Sequence, residues 1–370
     1  MKKVNRLFFI LICFFLLASC SGNLPENNGN EQSESAEEQP VGQEKEILPL
    51  IMKEDAFIKV IDWIDSEKIL ILSKGENGNQ LLQYNLFTGD QKVLYEDPEY
   101  IVDAQVGPDR NRILVHTAPL TYSAAVTVID LNGKVLFQES IESYEIAFEW
   151  NEDNADLLFI TSFAEDWSFK TMLADISKDT LNEVAAPQPF IKWQNDNSFL
   201  YQDWPEESIS LSAPLYSRNL YSEESALVQE GTIHFDSMTP YILSVSLAEG
   251  TEGTGIYEFI TKDGTISSSF SQPLLSSYSN WVIPYYDKID TEAEFVSLSA
   301  VKSVPADTYQ DKFTLERWNI KTGEREELMT GMENQPLQCS PNGEYCLTGY
   351  ELKTAVDLSS KEAKDVIILE

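Results

Sequence analysis

The fold is decided by the stretch WIDSEKIL, residues 63–70, in which a large residue ends one strand, a polar turn follows and a second apolar strand begins. Related stretches recur along the chain, and the last of them is CSPNGEYCL, residues 339–347. The first five anchors lie 43, 44, 43 and 42 residues apart, and they are Trp63, Val106, Trp150, Trp193 and Phe235. Repetition at a near-constant interval predicts one structural unit per period.

A second motif lies between successive anchors and consists of an apolar strand, an Asn or Asp, and a turn that ends in Gly. Its copies are YNLFTG (84–89), IDLNG (129–133) and WNIKTG (318–323), with a truncated relative at VDL (356–358). Each period therefore holds four short strands. Four-stranded units of 40–45 residues are typical of the blades of a β-propeller.

The sequence thus predicts an all-β fold, a β-propeller of four-stranded blades. We count seven blades, with six as the alternative, because one unit near residues 281–295 matches the pattern poorly. A pair of β-sandwiches is the rival architecture. The stretch 47–52 is expected to pair with 366–369 and so to close the ring. No long amphipathic helix is present, which argues against a doubly wound α/β fold.

The N-terminus carries a targeting segment. Lys2, Lys3 and Arg6 precede an apolar run at 7–17, which is too short for a bilayer core of about 30 Å. The segment ends in Leu-Ala-Ser-Cys, and this ending resembles the lipobox of bacterial lipoproteins, whose cysteine is acylated. We therefore expect a signal peptide at 1–19, a lipidated Cys20 followed by a disordered acidic linker to residue 46, and a propeller domain at 47–370.

The charge balance limits the choice of partners. With 61 acidic and 26 basic residues the chain has a formal net charge of −35, so a nucleic-acid partner is not expected. Two acyl chains on Cys20 would anchor the chain stably to a membrane. We expect a monomer on the extracytoplasmic face of the cell membrane of a Gram-positive-type bacterium.

The lipobox, the acidic linker and the Trp-bearing repeat together resemble the YqgU-like lipoproteins of Bacillus-type bacteria. That family is described as a membrane-anchored β-propeller, usually counted as six-bladed. The resemblance covers most of the chain and implies a fold and a location. It implies no activity, because it contains no catalytic motif.

The sequence contains few patterns typical of catalytic or metal-binding sites. The two histidines, His116 and His234, each lie in a predicted strand, and no Gly-x-Ser-x-Gly nucleophile motif is present. The run NEDN at 151–154 offers oxygen ligands without the glycine spacing of a calcium loop, and we interpret it as a solvated turn. No cofactor and no metal are expected.

Cys339 and Cys346 flank a hairpin turn and occupy positions that hold large buried residues in other repeats. In an extracytoplasmic chain such a pair could form a disulfide. A pair of unbridged buried thiols is the alternative.

One pattern suggests binding. In a propeller the connections between second and third strands all emerge on one face, and here they carry aromatic and acidic residues. The candidate binding residues are Tyr122, Glu165, Asp166, Trp167, Asp203, Trp204, Glu206 and Tyr309. Such a face could hold an envelope protein, a peptide or a glycan; alternatively these side chains fold back over the blade edges.

We therefore expect a membrane-anchored propeller that acts as a binding or scaffold module at the cell envelope. An enzyme is the less favoured alternative, as a hydrolase or lyase acting on cell-wall polymers in the central channel. A solute-binding lipoprotein is a third hypothesis, but that class normally has two α/β lobes.

Overall fold

The computed structural model describes residues 46–205, 210–222, 224–251, 253–278, 280–289 and 293–370. The predicted signal peptide, Cys20 and nearly all of the predicted linker lie outside these residues. The described part of the chain consists of 31 β-strands and one short 3₁₀ helix, Ala306–Thr308. Within it no helix has the length and apolarity needed to cross a membrane. The all-β prediction is confirmed.

Three units of four antiparallel strands come first, and in each unit we name the strands A to D in chain order. Unit 1 is β2 (Phe57–Trp63), β3 (Lys68–Lys74), β4 (Asn79–Asn85) and β5 (Gln91–Asp97). Unit 2 is β6 (Ile101–Val106), β7 (Arg112–Leu120), β8 (Ser123–Asp130) and β9 (Val135–Glu142). Unit 3 is β10 (Glu145–Trp150), β11 (Leu157–Phe163), β12 (Phe169–Asp175) and β13 (Thr180–Val184).

Units 4 and 5 form one seven-stranded sheet because they share a long strand. Its strands are β14 (Lys192–Asn195), β15 (Ser198–Gln202), β16 (Ala213–Asn219), β17 (Ser225–Met238), β18 (Tyr241–Leu247), β19 (Thr254–Thr261) and β20 (Ile266–Pro273). The first part of β17 pairs with β16 as strand D of unit 4. The second part pairs with β18 as strand A of unit 5.

Units 6 and 7 complete the series. A small hairpin, β21 (Leu275–Ser276) with β22 (Trp281–Val282), precedes them. Unit 6 is β23 (Tyr286–Ile289), β24 (Glu294–Ser299), β25 (Phe313–Asn319) and β26 (Arg325–Met332). Unit 7 is β27 (Leu337–Cys339), β28 (Tyr345–Thr348), β29 (Thr354–Asp357) and β30 (Glu362–Asp365).

The blade count depends on how the shared sheet is treated. Counted as hydrogen-bonded sheets of four strands or more, the described residues form six. Counted as four-stranded meanders, they form seven units. Both numbers considered from the sequence therefore have a structural counterpart.

The hydrophobic core lies between the units. One apolar cluster joins each pair of consecutive units; between units 2 and 3, for example, Leu114 and Val128 pack with Trp150 and Leu158. A further cluster joins unit 7 to unit 1, where Tyr345 and Leu347 pack with Trp63 and Ile69. Because a blade has two faces, neither of which it can bury alone, this arrangement requires neighbours on both sides.

The ring is closed by the ends of the described chain. Strand β1 (Leu50–Met52) pairs in parallel with β31 (Ile367–Leu369), as the sequence predicts. Leu50 and Ile367 are both buried in the cluster between units 7 and 1. Cys339 and Cys346 lie directly opposite each other in unit 7 and form a disulfide in the structure.

The anchor tryptophans also link the innermost strands. Trp63 Nε1 donates a hydrogen bond to the carbonyl oxygen of Gln338 (3.0 Å), and Trp193 Nε1 donates one to the carbonyl oxygen of Glu149 (3.0 Å). In both cases the acceptor belongs to strand A of the preceding unit. The large anchor residue of the repeat thus both fills the core and satisfies a backbone group of its neighbour.

The turn in the second motif explains why the motif has an Asn or Asp followed by a glycine. The Asn85 side-chain oxygen accepts hydrogen bonds from the backbone N–H groups of Phe87 and Thr88, as Asn319 does for Lys321 and Thr322. The glycine that ends the motif has positive φ, for instance +78° at Gly133. A Cβ at Gly133 would lie 2.3 Å from the Leu94 carbonyl oxygen of unit 1, so the close approach of the units also requires glycine.

The two faces of the ring carry different connections. In an antiparallel meander the B–C and D–A connections lie at one end of the strands, and the A–B and C–D connections lie at the other. We call the first the aromatic face, for the residues described below, and the second the turn face. Residue Leu48 lies on the turn face, because its N–H donates to the carbonyl oxygen of Leu86 in the C–D turn of unit 1 (2.7 Å).

Candidate functional site

Exposed aromatic side chains are concentrated on one face of the ring. Ten Phe, Tyr or Trp side chains are exposed among the described residues, and nine of them lie in B–C or D–A connections. The nine are Tyr100, Tyr122, Tyr144, Trp167, Phe190, Trp204, Tyr278, Tyr285 and Tyr350. The tenth, Tyr221, lies in a C–D turn on the turn face. Scattered exposed apolar residues are ordinary, but this one-sided distribution is not.

Five aromatic rings form a continuous cluster across units 2 and 3. Tyr122 stacks on Tyr144, with ring centroids 6.1 Å apart, and Tyr144 meets the edge of Trp167 at 6.4 Å. Phe163 contacts Trp167 at 6.1 Å and Phe190 at 5.7 Å. Phe163 is buried, whereas Trp167 and Phe190 are 65% and 68% exposed. The buried ring therefore supports the exposed ones.

A cavity of about 590 Å³ opens beside this cluster. Its walls include Tyr122, Tyr144 and Phe163, with Glu142 and Glu165 among the polar residues. The predicted residues Tyr122 and Glu165 thus line one cavity, and the predicted residue Trp167 contacts two of its wall residues. A cavity of this size with aromatic walls and a few polar groups suits ligand binding.

Two more cavities extend this one toward the central channel. The neighbouring cavity, of about 550 Å³, shares Ser143 and Tyr144 with the first. A third, of about 380 Å³, shares Asp103 and Gln105 with the second and reaches Asp62 in unit 1. Together the three form a trough across the aromatic face, from the rim at units 2 and 3 to the channel. A trough of this shape suits an extended ligand.

Trp167 is held outward by a strained turn. It lies in the B–C turn of unit 3 with φ +65°, a conformation normally taken by Gly or Asn at this place in a hairpin. Asp166 fixes the turn, because its Oδ1 accepts hydrogen bonds from the Ser168 N–H (3.0 Å) and hydroxyl (2.6 Å). The same hydrogen bonds lower the pKa of Asp166. Strain of this kind is found preferentially at functional sites.

The other predicted binding residues are dispersed. Trp204, 37% exposed, and Asp203 lie in the B–C connection of unit 4, outside the trough. The Tyr309 hydroxyl in unit 6 donates to the Lys312 carbonyl oxygen (3.0 Å), and its ring packs on Phe313. Tyr309 thus covers its own blade edge. Glu206 lies outside the described residues.

The aromatic residues of the D–A connections were not predicted from the sequence. Tyr144 and Phe190 complete the cluster, yet only the connections between second and third strands were considered. The repeat itself contains the missing signal, since a connection from strand D to the next strand A must return to the same face. Glu142, at the end of strand D in unit 2, was missed for the same reason.

The central channel is lined by an equivalent polar residue from each unit. In every unit, one residue of strand A pairs with the third residue of strand B. These residues are Asp62, Gln105, Glu149, Lys192, Asp236, Asp287 and Gln338. All are half-buried. Most directly precede the anchor of the repeat, so the sequence contained this signal too.

The channel carboxylates are engaged by basic groups or by backbone N–H groups. Lys192 Nζ lies 2.9 Å from Glu149 Oε2 and 3.0 Å from Asp236 Oδ1, and Arg110 Nη1 lies 2.9 Å from Asp62 Oδ2. Asp287 Oδ2 accepts the Cys339 N–H at 2.6 Å. These contacts tie neighbouring units together around the channel.

Burial changes the titration of this network. It raises the pKa of Glu149 to about 7, although Lys192 opposes the shift. It raises the pKa of Asp287 to about 7 as well, with Asp62 contributing. His234 Nε2 lies 2.6 Å from the Tyr286 hydroxyl, which donates to Asp236 Oδ2 (2.8 Å), and burial lowers the pKa of His234. These groups form a connected polar wall.

The run at 151–154 is part of this wall and not the solvated turn that we expected. Glu152 pairs with Lys288 of unit 6 and accepts the Thr239 N–H of unit 5 at 2.8 Å. The A–B turn of unit 3 therefore reaches across the channel on the turn face. Its neighbour Asn151 is buried. Within the described ranges no group of three His, Cys, Asp or Glu residues is placed to hold a metal ion.

Sequence comparison identifies relatives over nearly the whole chain. The model of the YqgU-like 6-bladed beta propeller domain matches residues 85–349. A Bacillus subtilis (strain 168) protein named uncharacterized lipoprotein YqgU is 28% identical over 363 residues, covering 96% of this chain and 97% of that protein.

Solved structures share the fold. Uncharacterized protein lmo1340 from Listeria monocytogenes EGD-e aligns with a TM-score of 0.80 at 19% identity, covering 88% of this chain and 98% of that one. An oligogalacturonate lyase in complex with manganese aligns with a TM-score of 0.55 at 12% identity, covering 84% and 88%. At these identities the similarity demonstrates the propeller fold alone.

Proposed function

This chain belongs to the family of YqgU-like 6-bladed beta propeller domains, and on that basis we propose that it is a membrane-anchored lipoprotein whose propeller binds an extended ligand at the cell envelope. The anchor is the diacylated Cys20, in keeping with the name of the Bacillus subtilis relative. The ligand lies in the trough on the aromatic face.

The observation that carries this proposal is the environment of Trp167. An indole that is 65% exposed forgoes most of the roughly 1.5–3 kcal/mol that burying a large apolar side chain provides, and its positive φ costs about 1–2 kcal/mol more. The turn locked by Asp166 and the ring contact with Tyr144 nevertheless hold it beside a cavity. A side chain with these costs and this position is best explained by contact with a ligand.

The position of the N-terminal end of the propeller supports the same function. Residue Leu48 lies on the turn face, opposite the trough. The first described residues therefore leave the trough uncovered.

Retention on envelope fragments tests the proposal. The full chain in mild detergent is mixed with washed envelope fragments from cells that lack it, and the bound fraction is measured after sedimentation. The double variant Tyr122→Ala/Trp167→Ala should lose at least tenfold in retention, because it removes one ring that lines the trough and one that contacts two of its wall residues. Tyr221→Ala is the control, since Tyr221 is 78% exposed on the turn face. Equal retention of all three proteins would contradict the proposal.

A further inference from the structure

The charges around the trough identify the chemistry of its ligand. Four carboxylates line its two outer cavities, and three of them, Glu142, Glu145 and Glu165, have no ion-pair partner in the described part of the chain. Lys170 is the single Lys or Arg among the described residues that line them. The outer trough therefore has an excess of negative charge beside a cluster of aromatic rings.

On this evidence of charge and shape we propose that the ligand is an extended peptide segment rich in lysine or arginine; the inference rests on the function proposed above. A cation over the face of Trp or Tyr gains about 0.5–2 kcal/mol, and the nearby carboxylates add Coulomb attraction. The exposed faces of Tyr122 and Trp167 provide the first contribution, and Glu142 and Glu165 the second. A ligand with alternating basic residues could place successive side chains in successive cavities.

Other polymers fit this trough less well. An anionic polymer would be repelled by the unpaired carboxylates and by the formal net charge of −35. A neutral glycan can stack on the rings, but it would desolvate Glu142 and Glu165 without supplying a counter-charge, which is costly. The inner part of the trough offers no such excess, because Lys59 pairs with Asp103 at 2.7 Å. Recognition of charge is thus assigned to the outer two cavities.

The test measures binding of three labelled probes to the full chain in detergent: hexalysine, hexaglutamate and neutral chitohexaose. Hexalysine should bind, and its affinity should fall by tenfold or more in Glu142→Gln/Glu165→Gln and again when salt is raised from low to high. The control variant Glu224→Gln/Glu362→Gln removes the same two charges from exposed positions outside the trough, so it corrects for net charge. It should bind hexalysine as the wild type does.

Each other outcome decides against the inference. If chitohexaose binds in the trough and hexalysine does not, the basic-peptide ligand is wrong while the proposed function stands. If the affinity for hexalysine falls equally in both double variants, the binding depends on the net charge of the protein and the inference is wrong. If no probe binds, the inference is wrong, and the envelope-retention experiment decides separately whether the trough binds anything.

Discussion

Trp167 and Tyr144 come from two different connections of the ring, and their rings meet edge to face with centroids 6.4 Å apart. Trp167 lies in the B–C turn of unit 3, and Tyr144 lies in the connection that enters unit 3 from unit 2. The contact forms only because two kinds of connection emerge on one face. An exposed aromatic cluster is thereby held by short connections between paired strands, which limits the entropy lost on binding.

The strain at Trp167 gives a first prediction. Replacing Trp167 by Gly should raise the free energy of unfolding by about 0.5–1 kcal/mol, because Gly adopts φ +65° without penalty. The same variant should lose envelope retention, since it removes the exposed ring. Urea unfolding measures the first effect.

Trp167→Ala is the control for this prediction, because it removes the ring and keeps the unfavourable φ. It should lose retention without the gain in stability. If Trp167→Gly were less stable than Trp167→Ala, the turn would not be strained in the way described.

The channel network predicts how stability changes with pH. Because burial raises the pKa of Glu149 to about 7, the folded protein keeps this proton at pH values where the unfolded chain has already lost it. The contribution of Glu149 to stability is therefore full below its ordinary pKa and declines as the pH rises through about 7. Asp287, whose pKa is also about 7, acts in the same direction.

The variant Glu149→Gln isolates this effect, because glutamine can still accept the Lys192 hydrogen bond and does not titrate. Relative to wild type, its free energy of unfolding should improve by about 1–2 kcal/mol between pH 5.5 and pH 8.5. Urea titrations at both pH values measure the difference. A difference that is constant with pH would show that Glu149 is ionised throughout.

The cysteine pair gives a third prediction. Cys339 and Cys346 are buried and bonded in the structure, and they fix the A–B hairpin of the unit that closes the ring. Without reductant, the peptide spanning them should be lighter by two hydrogens and should resist alkylation after unfolding. The double variant Cys339→Ala/Cys346→Ala should lower the free energy of unfolding by about 2–3 kcal/mol. Full alkylation of both thiols in the protein isolated without reductant would contradict the disulfide.

The sequence predicts the architecture well because each repeat encodes it locally. An apolar anchor, a polar turn and an Asn or Asp before a glycine specify strands and hairpins, and the side chains of Trp63 and Asn85 bond as those roles require. The count was harder to predict because units 4 and 5 share β17, so no turn separates them.

The candidate site could be predicted only in part. Tyr122, Glu165 and Trp167 could be predicted because all B–C connections emerge on one face of a propeller. Tyr144 and Phe190 lie in D–A connections, whose lengths vary from unit to unit, so these residues do not recur at a fixed place in the repeat. Tyr309 can pack on Phe313 because the connection between β24 and β25 is long. The sequence repeat does not describe this connection. The polar residues around the channel pair across units that are far apart in sequence, as Glu152 and Lys288 do. A local sequence pattern therefore cannot predict these pairs.

The most direct test of the account is site-specific photo-crosslinking on intact cells. A photoreactive benzoyl-phenylalanine replaces either Tyr122, 52% exposed in the trough, or Tyr221, 78% exposed on the turn face. The account predicts a discrete crosslinked envelope component from position 122, removed by competing hexalysine, and none from position 221. The same product from both positions, or a product from position 221 alone, would contradict it.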